Sequence, residues 1–202
     1  MRQRPTVVVL AAGQSSRFGG AAHKLEQPLA ASTVLGTTLA RVIASGLPFI
    51  VVTTARLLPL VLADVARRDV LVLADEEARR GVGHSIAAAV AERPDAAGWL
   101  VLPGDMPLIS TASIQAVAQA LQDHPVAYSQ YRGRRGHPVG FDAELFSDLI
   151  ALDGDEGARR IVARYPAHAV EVDDAGVLLD IDTPDDLARA RGEGLPPAQR
   201  VA

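Results

Sequence analysis

The chain has 202 residues, 49% of them hydrophobic and only 4% aromatic, a formal net charge of −4 and no cysteine. That length allows one sizeable α/β core, and no linker-like stretch calls for a second domain. The acidic balance argues against a broadly basic nucleic-acid surface, and zero cysteines exclude disulfides and thiolate metal or redox sites. Behind the basic start Met1-Arg2-Gln3-Arg4-Pro5 the apolar stretch is only about six residues long, short of a signal-peptide core or a membrane span. A cytoplasmic protein with neither membrane nor nucleic acid as a partner is the expectation.

Apolar runs and helical patterns alternate along the chain. Thr6 to Leu10 reads as a strand covered on both faces, and it empties into the small-residue run Ala11 to Gly20. Ser32 or Thr33 can cap a helix to about Ser45, closed by Gly46, and Phe49–Thr53 is the next strand. A helix is expected from Leu57 to Arg68, a strand over Val70–Leu73, a helix over Ser85–Ala91 and a buried strand over Trp99–Leu102. Ser110 to Gln122 follows as a helix, then a strand over Val126–Tyr131 and helices near Ala143–Ala151 and Glu156–Arg164. Asp173-Asp174-Ala175-Gly176 suggests a hairpin turn, and Thr183-Pro184-Asp185-Asp186 a helix start with Thr at the cap and acids at the positive dipole end. This alternation is the pattern of a mostly parallel sheet with helices on both faces.

The loop after the first strand has the outline of a phosphate cradle, because Ala, Gly and Ser remove bulk and let backbone N–H groups approach an anion. It is not a P-loop, since Gly13 to Gly19 is one residue too long and Gly20 stands where the Lys belongs; nor does Gly13-Gln14-Ser15 fit the dinucleotide fingerprint. What is present is L-A-A-G-x-S-x-R-x-G followed by Lys24. This closely resembles the activated-nucleotide loop of the Rossmann-like nucleotidyltransferases, which include molybdenum cofactor guanylyl- and cytidylyltransferases and sugar-phosphate uridylyltransferases. The resemblance implies a three-layer α/β nucleotidyltransferase fold. It also implies that Leu10, Ala11, Ala12, Gly13, Arg17 and Lys24 hold a nucleoside triphosphate, with Arg17 and Lys24 catalytic.

Four further clusters carry chemistry. Pro103-Gly104-Asp105-Met106-Pro107 sits at a strand's carboxyl end, where open parallel sheets bind ligands. Alone it could be a turn Asp capping its own backbone; the resemblance makes Asp105 catalytic, nucleotide-binding and a ligand of Mg²⁺. In Asp180-Ile181-Asp182-Thr183-Pro184 the acids could merely decorate a strand end and a helix cap, but Asp182 matches the family's second metal ligand by position, with Asp180 as the alternative. Gly81-Val82-Gly83-His84-Ser85-Ile86 is similar to the G-T-G-H-A-M segment beside the nucleobase in the sugar-phosphate enzymes, which puts Gly81, Gly83 and Ser85 near the base and leaves His84 structural. Arg132-Gly133-Arg134-Arg135-Gly136-His137-Pro138-Val139 could be a solvated hairpin tip, or a mobile electropositive loop for a second phosphate-bearing substrate. Together with Gly154-Asp155-Glu156-Gly157-Ala158-Arg159 it looks most like the molybdenum cofactor cytidylyltransferases, where such segments serve the acceptor; Arg134, Arg135 and His137 are the acceptor-binding candidates.

No Ser-His-acid constellation is evident and Cys is absent, so no covalent intermediate is called for. A phosphate monoester is already anionic at neutral pH and needs no general base; the difficulty is bringing two anions together. The resemblance therefore implies transfer of a nucleoside monophosphate, CMP from CTP, to a molybdopterin-like acceptor with release of pyrophosphate, and a client molybdoenzyme or chaperone as a further partner. Leu-Ala-Ala-Gly rather than Leu-Ala-Gly-Gly leans toward CTP. Ala21-Ala22-His23 gives the segment before Lys24 a length closer to the sugar-phosphate enzymes, and Ala30-Ala31-Ser32 replaces the usual Gly-containing turn. Sugar- or polyol-phosphate acceptors, and a non-catalytic nucleotide or cofactor delivery module, are the alternatives. Residues 1–191 are expected to form the domain and 192–202 a flexible tail.

Overall fold

A computed structural model of the chain describes residues 4–13 and 23–192. In chain order its elements begin with β1 (Thr6–Ala11), a small ladder of β2 (Pro28–Leu29) and β3 (Ser32–Thr33), α1 (Val34–Ala44), β4 (Phe49–Thr54), α2 (Leu58–Leu62), β5 (Val70–Leu73), α3 (Asp75–Ala78) and α4 (Val82–Ala91). They continue with β6 (Gly98–Pro103), α5 (Thr111–Ala120), β7 (Val126–Tyr131), β8 (Arg134–Asp142), α6 (Phe146–Ile150), α7 (Arg159–Arg164), β9 (Ala167–Glu171) and α8 (Pro184–Gly192).

The main sheet has seven strands in the order β5-β4-β1-β6-β8-β7-β9. Strands β5, β4, β1 and β6 run parallel, as do β7 and β9; β8 alone is antiparallel to its neighbours β6 and β7. The all-apolar β1 has the composition of a strand covered on both sides, and Val7, Val8 and Val9 are fully buried. Alternation sends Val7 and Val9 into one core with α1, α2, α5 and α8, and Val8 into a second core with α4, α6 and α7. The fold is therefore α/β with helices on both faces of a mostly parallel sheet.

Local signals explain several boundaries. The Thr33 hydroxyl accepts from the Gly36 N–H at the start of α1, and the Ser110 hydroxyl from the Ser113 N–H at the start of α5. Three expectations are corrected. The helix expected from Leu57 to Arg68 stops after Leu62: its first residue has no side-chain cap, and the chain turns so that Val65 reaches the core before a 3₁₀ turn at Arg67–Asp69. Asp173–Gly176 makes no hairpin, because β9 pairs in parallel with β7 and Asp174 instead caps a 3₁₀ turn, accepting from the Gly176 N–H at 2.9 Å. The hairpin lies at Arg132-Gly133, with φ of 50° and 74°, the paired left-handed turn that joins twisted strands. Arg134 to His137 thus belong to β8 and form no loop.

Candidate active site

The carboxyl ends of β1 and β6 lie side by side, with Leu10 opposite Pro103 and the Gly104 N–H donating to the Leu10 carbonyl at 2.9 Å. This juxtaposition sets Ala12 and Gly13 next to Asp105, at the sheet edge where parallel folds bind ligands. The Ile181 N–H donates to the Asp105 carbonyl at 2.9 Å, which brings the segment carrying Asp180 and Asp182 to the same edge. That segment is irregular rather than the end of a strand. The Asp186 carboxylate accepts from the N–H groups of Asp182 at 3.2 Å and Thr183 at 2.8 Å, while the Thr183 hydroxyl accepts from the Asp186 N–H, a reciprocal cap that holds Asp182 at the start of α8.

Lys24 joins the two acids. Its Nζ lies 2.6 Å from Asp105 Oδ2 and 2.6 Å from Asp182 Oδ1. Burial opposes the Lys24 ammonium, yet the Asp105 and Asp182 carboxylates outweigh it, so its pKa rises and it stays charged. Asp180 is raised above the ordinary carboxyl value, by burial and then by the like charges of Asp105 and Asp182. Among the described residues, buried Asp105 Oδ1 has no hydrogen-bond partner. A carboxylate oxygen left in that condition suits a hard cation, and two carboxylates are as many as Mg²⁺ commonly takes from protein when substrate oxygens and water fill the shell. Among the described residues no group of three or more His, Asp or Glu is arranged around one point.

Two cavities meet here. One, of about 560 Å³, is lined by Leu10, Ala12, Gly13, Lys24, Gly81, Ser85 and Asp105. The other, of about 550 Å³, has an apolar floor of Val101, Val139 and Phe141 from β6 and β8, and Arg135, His137 and Arg159 on its walls. Leu10, Val82, Pro103 and Asp155 line both. Of the residues singled out in the sequence, Ala11 is fully buried in the core and lines neither cavity, and Gly83 packs against Asp153, with its N–H on the Gly154 carbonyl at 2.8 Å. Arg134 lines neither cavity: strand alternation directs Arg135, His137 and Val139 to one face of β8 and Arg134 to the other. The Arg135 guanidinium stacks 4.0 Å from the Tyr128 ring centroid. Burial lowers the pKa of His137, which favours the neutral ring. Arg17, with the rest of Gln14 to Ala22, lies outside the described residues, as does the tail 193–202.

Two residues at this site carry no assignment from the sequence: Arg79, which lines the first cavity, and His23, which joins the end of β1 to the start of the Lys24 turn; Asp155, read only as part of the acceptor segment, lines both cavities. Gly154-Asp155-Glu156-Gly157 stood out only as an acceptor segment; its contact with Gly81 and Gly83 gives those glycines a packing reason as well. His is not among the usual helix-capping residues, so His23 carried no signal beyond Glu26 three residues later.

The comparisons with known proteins agree with this architecture. A MobA-like NTP transferase domain matches residues 7–170. The chain belongs to that family, and through it to the nucleotidyltransferases. It is 33% identical over 196 residues to the purine catabolism protein PucB of Bacillus subtilis, covering 91% of this chain and 94% of that protein. With the molybdenum cofactor cytidylyltransferase of Escherichia coli it shares 26% identity over 184 residues, with the same coverage. The crystal structure of Rv0371c from Mycobacterium tuberculosis superposes with a TM-score of 0.80 at 32% identity, over 94% of this chain and 98% of that one, and a second structure of Rv0371c is a complex with manganese. Identity to PucB and to Rv0371c exceeds identity to the cytidylyltransferase, so the family holds more firmly than the cytidylyltransferase branch. Among the described residues no helix is long and apolar enough to cross a membrane.

Proposed function

We propose that the protein transfers CMP from CTP to a phosphate-bearing acceptor of the molybdopterin type, releasing pyrophosphate. The observation that carries the reading is Lys24 held 2.6 Å from both Asp105 and Asp182, with Lys24 and Asp105 on the wall of the first of two adjoining cavities. The cavity with Ala12, Gly13, Lys24, Gly81 and Ser85 takes the nucleotide; the one with Arg135 and His137 takes the acceptor. Asp105 and Asp182 would hold a divalent ion, Mg²⁺ in this reading, and when bound it supplies positive charge that screens the phosphates. The manganese in Rv0371c supports a divalent site in a relative of this chain.

The chain's own residues do the rest. Backbone N–H groups at Ala12 and Gly13 and the Lys24 ammonium, with Arg17, attract the triphosphate. Arg135 draws the acceptor phosphate to the junction, where its oxygen attacks the α-phosphorus. The Pα–O bond to the β-phosphate breaks and pyrophosphate leaves. Proximity and charge screening supply the rate, and no side chain needs to remove a proton. The reaction is placed in the cytoplasm, with a client molybdoenzyme or chaperone downstream.

The test is pyrophosphate release from CTP and from GTP with Mg²⁺, with and without molybdopterin, beside a panel of sugar and polyol phosphates. Release that requires CTP and molybdopterin is expected. Release with a sugar phosphate alone reassigns the acceptor, and nucleotide binding without release under any acceptor reassigns the protein as a delivery module.

A further inference from the structure

His23 lines neither cavity and is 7% exposed, yet it ties together two walls of the first one. Its Nε2 is 3.0 Å from the Gly13 carbonyl, and its Nδ1 accepts from the Leu25 N–H at 3.2 Å. An Nδ1 that accepts carries no proton, so the ring is the neutral tautomer whose Nε2–H donates to Gly13. The His23 backbone N–H is held in turn by the Glu26 carboxylate at 3.0 Å, and Glu26 pairs with Arg56 beyond β4 at 3.2 Å. One imidazole therefore uses its single donor on the end of β1 and its single acceptor on the turn that starts at Lys24. Both neighbours, Gly13 and Lys24, face the nucleotide cavity.

We infer that His23 is a positioning residue for Lys24: it clasps the backbone of the Lys24 turn to Gly13, so that Nζ reaches Asp105 and Asp182 together. Lys is a flexible four-carbon arm, so its ammonium reaches both carboxylates only where its own backbone is held at the right distance from them. The ring's requirements separate its two jobs. Capping the Leu25 N–H needs only an acceptor close to the backbone, which Asn supplies; spanning to Gly13 needs the length of the imidazole and a donor at its far end. The inference rests on the nucleotide reading of the first cavity.

The experiment compares wild type, His23→Ala, His23→Asn and Lys24→Ala by thermal melting and by direct binding of whichever of CTP and GTP the wild type takes, with Mg²⁺ and no acceptor, well below the lowest melting midpoint. His23→Ala is expected to melt early and bind weakly. His23→Asn is expected to recover most of the melting temperature while its nucleotide Kd stays about tenfold above wild type, in the direction of Lys24→Ala. If His23→Asn restores binding along with stability, or if His23→Ala leaves binding unchanged, His23 is only a cap and the inference falls. Lys24→Ala is the control for the underlying reading: unchanged binding in that variant overturns the nucleotide assignment itself, whereas weak binding there with normal binding in His23→Asn overturns only the role of His23.

Discussion

The Ile181 N–H donates to the Asp105 carbonyl oxygen at 2.9 Å, a backbone bond that sets Asp105 and Asp182 at the same sheet edge whatever their side chains are. Asp105→Asn and Asp182→Asn therefore test charge at nearly constant shape. Each is expected to lower turnover by about a hundredfold or more while melting within a few degrees of wild type, because an amide offers a cation only a neutral oxygen. Pyrophosphate release and a thermal melt give both numbers, and wild-type turnover with an unchanged metal requirement would sink the metal assignment.

Lys24→Ala should weaken nucleotide binding, and the loss should shrink as salt rises, since the lost attraction is coulombic and partly exposed to ions. The same change leaves Asp105 and Asp182 facing one another without the ammonium, so a divalent ion should raise this variant's melting temperature more than it raises that of wild type. Calorimetric titration at two ionic strengths and melts with and without Mg²⁺ test both statements. Salt-independent binding equal to wild type would remove Lys24 from the triphosphate.

The two arginines of β8 should behave differently. Arg135 lines the second cavity and is braced on Tyr128, whereas Arg134 faces away. Arg135→Ser is expected to raise the acceptor KM about tenfold with nucleotide affinity unchanged, while Arg134→Ser stays within twofold on both. Equal effects from the two variants would show that the alternation along β8 does not decide acceptor binding.

Much of this was legible in the chain. Val7-Val8-Val9 has the pattern of a strand covered on both faces, Thr33 and Ser110 have that of helix starts, and the residues the sequence singles out at Ala12, Gly13, Lys24, Asp105 and Asp182 lie together at one sheet edge. Local pattern failed where partners distant in sequence decide. Asp174 looked like a turn former, but it spends its carboxylate on the Ser110 N–H and the Ser113 hydroxyl of α5, which no local pattern encodes. Arg134 and Arg135 looked equivalent because their difference is strand register, and that depended on where the hairpin turns. His23 was invisible because its partner Gly13 lies across a segment whose path the sequence does not reveal.

Gly81 carries a stability prediction. It caps α4 with φ 100° and ψ 175°, a conformation essentially reserved for glycine, and a Cβ there would lie 2.4 Å from the Gly154 carbonyl carbon. Gly81→Ala is expected to cost at least about 1–3 kcal/mol from the backbone conformation alone. It should also weaken nucleotide binding, because relief of the clash moves the 154–155 segment and with it Asp155, which both cavities share. Urea unfolding measures the first effect; a variant as stable as wild type would mean that the α4 start relaxes freely.

The final expectation concerns pH. Burial lowers the pKa of His23 below its ordinary 6.5, with the Gly13 carbonyl opposing and the positive charges of Arg56 and Lys24 reinforcing the shift against Glu26. In the unfolded chain the ring titrates near 6.5, so below that pH the unfolded state binds a proton that the folded state refuses. Stability from this group is therefore complete above about pH 6.5, declines as pH falls, and stops declining once the folded ring is itself protonated. His137, also lowered by burial, tilts the same window in the same direction. His23→Asn cannot titrate, so its urea midpoint should fall less than that of wild type between about pH 7 and about pH 5, with His137 supplying part of the slope that remains. Parallel curves for the two proteins would mean that the folded ring accepts a proton as readily as the unfolded one, and that the neutral Gly13–His23–Leu25 clasp does not persist in solution.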